Sequence, residues 1–204
     1  MNLYKELQEK LSEHKPTDVD ELILDDLFEN VKSFTEENKK DLEKYTNLIH
    51  LSLNGFGLES LKNFPKIPTL QVLELRSNHL NGQDFSKLKE LYPELYKLKV
   101  GENPIKEVSV FKVLSDTTLE KLELAETPAS TTKDYRNVLF SMIPELKSVD
   151  GLTKDGNEAS STIYEDDEGE MGESDEDDEF GGEEDEDFEG DEDEEEPYDE
   201  ESEH

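Results

Sequence analysis

Cysteine is absent from this 204-residue chain, and bases are scarce, with 21 lysines and arginines against 56 aspartates and glutamates and a formal net charge of −35. Without thiols there are no disulfides, thiolate metal sites or cysteine nucleophiles, which suits a reducing compartment. Also missing is any apolar run approaching the length of a membrane span, and Met1-Asn2-Leu3-Tyr4-Lys5-Glu6-Leu7 carries no basic region leading into an apolar one. Neither secretion nor a membrane partner is expected. So large a negative charge repels nucleic acid, so direct nucleic-acid binding is not expected either, and self-repulsion favours a monomer.

The shortage of bases is unevenly distributed. The last is Lys154, and 27 of the 56 acids fall between Glu165 and His204, leaving 29 acids and all 21 bases ahead of that stretch. The chain therefore reads as two regions, a folded domain over residues 1–154 and an acidic tail over 155–204. The first has enough leucine, isoleucine, valine and phenylalanine for one core, since a domain of about 150 residues hides roughly two thirds of its unfolded surface. The second has too few apolar residues to offset its chain entropy and is expected to be disordered.

Between Val19 and Ala129 the leucines recur as L-x-x-L-x-L, often followed after two residues by asparagine. Two copies fit throughout: Leu70, Leu73, Leu75, Asn78 and Leu80, and Leu95, Leu98, Val100, Asn103 and Ile105. In a third, Leu48, Leu51, Leu53 and Leu58, the asparagine position is Phe56; a fourth, Leu119, Leu122 and Leu124, runs into Thr127 and Ala129. Val19, Leu22 and Leu24 form the loosest copy. The five starts, at Val19, Leu48, Leu70, Leu95 and Leu119, keep the interval of about 20 to 29 residues that marks a leucine-rich repeat. L-x-L points two leucines to one side of a short strand, and asparagine inside the following bend can satisfy backbone groups that the turn leaves unpaired. Phe85–Leu91 and Val110–Leu114 read as short helices behind the strands. The fold class is α/β, a right-handed solenoid of about five repeats.

Such a stack needs sealed ends. Leu3, Leu7 and Leu11 suggest an amphipathic helix before Pro16; Tyr135, Val138, Leu139, Met142 and Ile143 suggest a second, started by a capping box Thr131-x-x-Asp134 and stopped by Pro144, with Leu146 and Val149 completing the lid. Order is expected to end near residue 155.

The five repeats, Thr17-Asp18-Val19-Asp20-Glu21-Leu22-Ile23-Leu24-Asp25, the cap start Lys133-Asp134-Tyr135-Arg136-Asn137-Val138, Leu146 through Asp150-Gly151, and the acidic tail together resemble the acidic leucine-rich nuclear phosphoprotein 32 family. The resemblance covers the whole chain in order. It implies a non-enzymatic nuclear and cytoplasmic adaptor: members chaperone histones, mask histone tails from acetylation, inhibit protein phosphatase 2A, and take part in messenger-RNA export and apoptosis. It implies residence in the nucleus with a cytoplasmic pool, although the terminal Glu200-Glu201-Ser202-Glu203-His204 lacks the basic import signal frequent in the family.

Two candidate partner surfaces follow. Like charges extend the tail, and an extended polyanion suits histones or other basic proteins. Within it Asp175, Glu176, Asp177, Asp178 and Glu179 precede Phe180, and Asp185, Glu186 and Asp187 precede Phe188; a lone ring among carboxylates can fill an apolar pocket while acids meet surrounding bases. The alternative is a tail that only solubilises. Ser174, with acids at the next three positions, fits an acid-directed kinase such as casein kinase 2, and Thr162, with Glu165 three residues on, fits less well.

The second surface is the concave side of the solenoid: Glu21, Ile23, Asp25, His50, Ser52, Asn54, Val72, Glu74, Arg76, Lys97, Lys99, Lys121 and Glu123. Arg76, Lys97, Lys99 and Lys121 read as a basic cluster, a departure from the family's more neutral or acidic face. It could grip an acidic segment or hold the protein's own tail, or simply keep the sheet soluble. Asp185, Asp187, Glu189, Gly190 and Glu196 imitate a calcium loop, but Glu192 stands where an apolar residue is needed and the match is expected by chance in such a segment. The four histidines have no ligand spacing, and no catalytic constellation is recognisable, so no metal, cofactor or enzymatic activity is expected.

Overall fold

The computed structural model describes residues 15–27 and 31–159, all within one unit of the chain. The N-terminal leucine helix, the tail segments around Phe180 and Phe188, Ser174, Thr162 and the calcium-loop mimic lie outside the described residues.

Among the described residues six strands form one parallel sheet in sequence order: β1 (Glu21–Ile23), β2 (His50–Ser52), β3 (Val72–Glu74), β4 (Lys97–Lys99), β5 (Lys121–Glu123) and β6 (Ser148–Val149). Strands of two or three residues suffice because every strand has a neighbour to satisfy it; the central residues Leu22, Leu51, Leu73, Leu98 and Leu122 are buried, as is Val149 in register with them on the two-residue β6. The sixth strand goes beyond the five repeats counted in the sequence. Leu146 lies three residues before Val149 just as Leu119 precedes Leu122, so the lid is half a repeat, disguised by a valine and by the glycine at 151. The stack ends by folding back, Val149 pairing with Leu152 and Leu152 with Glu158, and backbone hydrogen bonding continues to Ala159. Covering the last strand this way removes an open sheet edge.

Behind the strands the connections tighten. Phe85–Lys87 is a turn of 3₁₀-helix leading into α2 (Leu88–Leu91), whereas Val108–Leu114 is 3₁₀ throughout; α1 (Glu36–Leu42) comes earlier in the chain and α3 (Tyr135–Met142) later. α1 carries a capping box: Thr35 Oγ1 accepts from Asn38 N, and Asn38 Oδ1 accepts from Thr35 N. The box expected at Thr131-x-x-Asp134 does not form. Helix α3 starts only at Tyr135, Asp134 before it is left-handed (φ 59°), and Thr131 donates its hydroxyl to Pro128 O instead. Nor does the whole apolar stripe face inward: Leu139 and Ile143 are buried, but Val138 is 40% exposed.

The turns after the strands decide how repeats attach. Asn78 Nδ2 donates to Leu53 O, Leu75 O and Arg76 O while its Oδ1 accepts from Leu58 N. Asn103 repeats this one turn on, with Leu75 O, Val100 O, Gly101 O and Leu80 N. Each buried amide thus satisfies four backbone groups across two repeats. At the equivalent position Phe56 is buried edge-on to Phe34 (centroids 6.4 Å apart), which stacks on Phe64 at 4.9 Å, so this turn is held by an aromatic cluster instead. Thr127 donates its hydroxyl to Leu124 O at 2.8 Å and accepts from Ser130 N at 3.2 Å, bonds that stay within its own turn. Asp26, Gly55, Ser77, Glu102 and Glu126, each three residues past a strand, are all left-handed. Only one is glycine, and there a Cβ would collide with the Asp26 carboxylate.

Candidate partner-binding face

Parallel register arranges the strand side chains that flank the buried central leucines in rows across the sheet, in which Ser52, Val72 and Ser148 are themselves buried. One row reads Glu21, His50, Val72, Lys97, Lys121 and Ser148; the next reads Ile23, Ser52, Glu74, Lys99 and Glu123. Asn54 and Arg76 follow two residues past their strands, as does Asp25. The sequence-derived surface residues therefore do share one face.

Their charges are largely matched within it. His50 lies between two carboxylates, Nδ1 at 2.7 Å from Glu21 Oε1 and Nε2 at 3.1 Å from Glu74 Oε1. Lys99 Nζ reaches the same Glu74 oxygen at 3.0 Å, and Asn54 Nδ2 lies 3.4 Å from the other. Asp25 accepts from Ser52 Oγ (2.6 Å), Asn54 N (2.9 Å) and Asn54 Nδ2 (3.0 Å). Lys97 pairs with Glu123 at 3.4 Å and Arg76 with Glu102 at 3.1 Å. Arg76, Lys97 and Lys99 of the expected basic cluster thus have carboxylate partners, and Lys121 is engaged as well. Lys121 stands beside Lys97 in register. Glu102, which the sequence reading passed over, also accepts from Ser77 Oγ at 2.6 Å; the signal for it was its place in the turn one repeat beyond Arg76.

The pairing shifts protonation. The hydrogen bond to Glu74 raises the His50 pKa above its ordinary 6.5 against the opposing effect of burial, with Glu21 adding to the rise. The bond from His50, with Lys99 next to it, holds Glu74 down at about 2. At the C-terminal end Tyr135 donates to Asp150 Oδ2 at 2.7 Å while Asp150 Oδ1 accepts from Leu124 N (2.6 Å) and Ala125 N (2.9 Å). Burial, reinforced by that carboxylate, pushes the Tyr135 hydroxyl up to about 12, and the trio ties α3 to β5.

Polar groups in this arrangement are held in place by the sheet and by one another. Among the described residues no group of three or more histidines and acids is placed to hold a metal ion, and no helix is long and apolar enough to cross a membrane.

No family model matches the sequence. A Plasmodium falciparum protein named acidic leucine-rich nuclear phosphoprotein 32-related protein is 34% identical over 156 residues, which are 76% of this chain and 55% of that protein. Related protein 1 of that name from rice is 36% identical over 117 residues, 57% of this chain and 25% of the relative. The chain thus spans about half of one relative's length and a quarter of the other's. Among solved structures, a chain of the Drosophila melanogaster SNF/U2A' complex superposes with a TM-score of 0.53 at 26% identity, covering 66% of this chain and 74% of that one. The fold and this kinship are typical of proteins that act by interaction. Repeats, cap and relatives together place this chain among the acidic leucine-rich nuclear phosphoprotein 32-related proteins.

Proposed function

We propose that this protein is a non-enzymatic histone-binding chaperone or adaptor in which residues 155–204 engage basic histones and the sheet face binds a second protein. The observation that carries the first half is the density of acid from Glu165 to His204, 27 carboxylates with no base among them, interrupted by Phe180 and Phe188. A polyanion of that density competes with DNA for lysine-rich segments, through attraction screened over about 8 Å at physiological ionic strength. Asp175 to Glu179 and Asp185 to Asp187 supply the charge, and the two rings supply apolar anchors. The second half is supported by the preset polar face: His50, Ser52, Asn54, Glu74, Arg76, Lys97, Lys99, Lys121 and Glu123 offer both signs of charge, suited to a protein surface of mixed polarity. The relatives' names favour the nucleus and phosphorylation; to these the proposal adds a cytoplasmic pool and, from the acids that follow them, Ser174 and Thr162 as the modified residues.

The test measures core-histone binding by the full chain and by a chain ending at Ala159, at low and physiological salt. Loss on truncation, with steep weakening by salt, supports the chaperone reading; equal binding by both chains overturns it. The kinship also favours a second reading, a protein phosphatase 2A inhibitor acting through the sheet face, in which the truncated chain retains inhibition of the phosphatase catalytic subunit.

A further inference from the structure

His50 is a titratable side chain held between two carboxylates from different repeats, and the two differ in ways that matter. Glu74 is enclosed, its side chain 14% exposed, and is also held by Lys99 and Asn54. Glu21, on β1, has a side chain 57% exposed, and His50 is what holds it. An imidazolium donates from both nitrogens, so it satisfies both acids; a neutral imidazole has one N–H and must turn a lone pair toward one of them. Glu74 cannot retreat, because two other donors fix it. Glu21 can swing into water, which resolvates it at little cost. Losing the proton therefore frees Glu21.

The surroundings specify what a freed Glu21 would take. Two residues on, and so on the same side of the strand, Ile23 is 49% exposed, an uncommon condition for isoleucine in a sheet. An acid next to an exposed aliphatic side chain matches lysine or arginine, whose long stem packs on apolar surface while the charged head pairs. The other charged groups facing His50 leave this chemistry intact. Asp20 contributes its backbone oxygen, accepting from His50 N at 3.0 Å, Asp25 is occupied by Ser52 and Asn54, Lys99 is turned to Glu74, and Lys97 lies beyond the buried Val72 in the row.

We infer that the β1–β3 end of the sheet face is a proton-gated receptor for a basic side chain of a partner: protonated His50 occupies Glu21, and neutral His50 yields Glu21, beside Ile23, to an incoming lysine or arginine. This deepens the reading of the sheet face as a partner surface and rests on it. By linkage, a basic segment bound there expels a proton from His50, and the site binds more tightly above the His50 titration than below it.

The experiment is nuclear magnetic resonance on the full chain, following the His50 ring and the Glu21 and Ile23 signals from pH 5 to 9, with and without an octalysine peptide. In the free chain the His50 midpoint is expected above 6.5, the ordinary value. Saturating octalysine is expected to lower that midpoint and shift Ile23, with affinity at this site about fivefold higher on the alkaline side. Glu21→Gln, an exposed change, removes the peptide's effect on the midpoint. A His50 midpoint unmoved by octalysine while signals of the acidic segment saturate overturns the gate and leaves the tail reading standing. Octalysine that moves neither His50 nor the acidic segment overturns both, and a free-chain midpoint at or below 6.5 overturns the clamp on which the gate depends.

Discussion

Two polar ladders cross the repeats of this protein, one in the turns beyond the strands and one on the face of the sheet. Asn78 and Asn103 lie in the turns, buried at 2% exposure and bonded only to backbone; Glu21, His50, Glu74 and Lys99 lie on the open face and bond to one another. Both link successive strands, yet burial gives them different roles. A buried amide is neutral and has no alternative partner, so its loss strands four backbone groups and it serves the fold. The ionic ladder is only partly buried, with Glu21 open to water and Glu74 enclosed, and its exposed pairs contribute little net stability.

The contrast can be broken first at its buried member. Asn103→Ala removes the partner of Leu75 O, Val100 O, Gly101 O and Leu80 N and is expected to cost about 3–5 kcal/mol in urea unfolding, since each unpaired buried group costs roughly 1–3 kcal/mol and partial rehydration recovers some. A cost below about 1 kcal/mol, the scale of an exposed ion pair, would equate the two ladders. Asp150→Ala, which strands the Leu124 and Ala125 amides and releases Tyr135, is expected to cost about 2–3 kcal/mol and to expose the end of the stack to early hydrogen exchange.

On the open face the expected effects are smaller and depend on pH. His50→Gln is expected to lose about 0.5–1 kcal/mol at pH 6. Because the folded pKa of His50 is raised, its contribution is complete below 6.5 and is lost as pH rises through the folded value, so wild type and variant should converge in alkaline solution. Glu74 has the opposite sign. Its folded pKa is lowered from 4.5 to about 2, so its contribution is present above 4.5 and vanishes as pH falls toward 2, and the gap between wild type and Glu74→Gln should close in acid. The smallest effect is expected at Glu126→Gly, which relieves a left-handed backbone at φ 61° and should stabilise by at most about 0.5 kcal/mol, measured by the same unfolding.

Much of the solenoid was legible because its signal is periodic: leucines at strand spacing admit few other folds, and the asparagines at 78 and 103 lie in the turns as their positions imply. The sixth strand was missed because Ser148-Val149 lacks the second leucine. Val138 was read as inward because helical periodicity identifies a stripe, not which edge of it a neighbour covers. At the candidate site alternation along a strand determined which side each residue takes, and register aligns those residues in rows across the sheet. The sequence reading misjudged their electrostatics. Counting Arg76, Lys97, Lys99 and Lys121 as a basic cluster ignores counter-ions a full repeat away along the chain, namely Glu102, Glu123 and Glu74, which only register brings within reach.

Sequence alone determined the repeat, its spacing and the concentration of acid beyond Lys154, because each is a local or compositional property of the chain. Tertiary structure decided which charges neutralise one another and which remain for a partner, because strands a repeat apart in sequence stand in adjacent register, where Coulomb energy depends on ångströms and not on residue count.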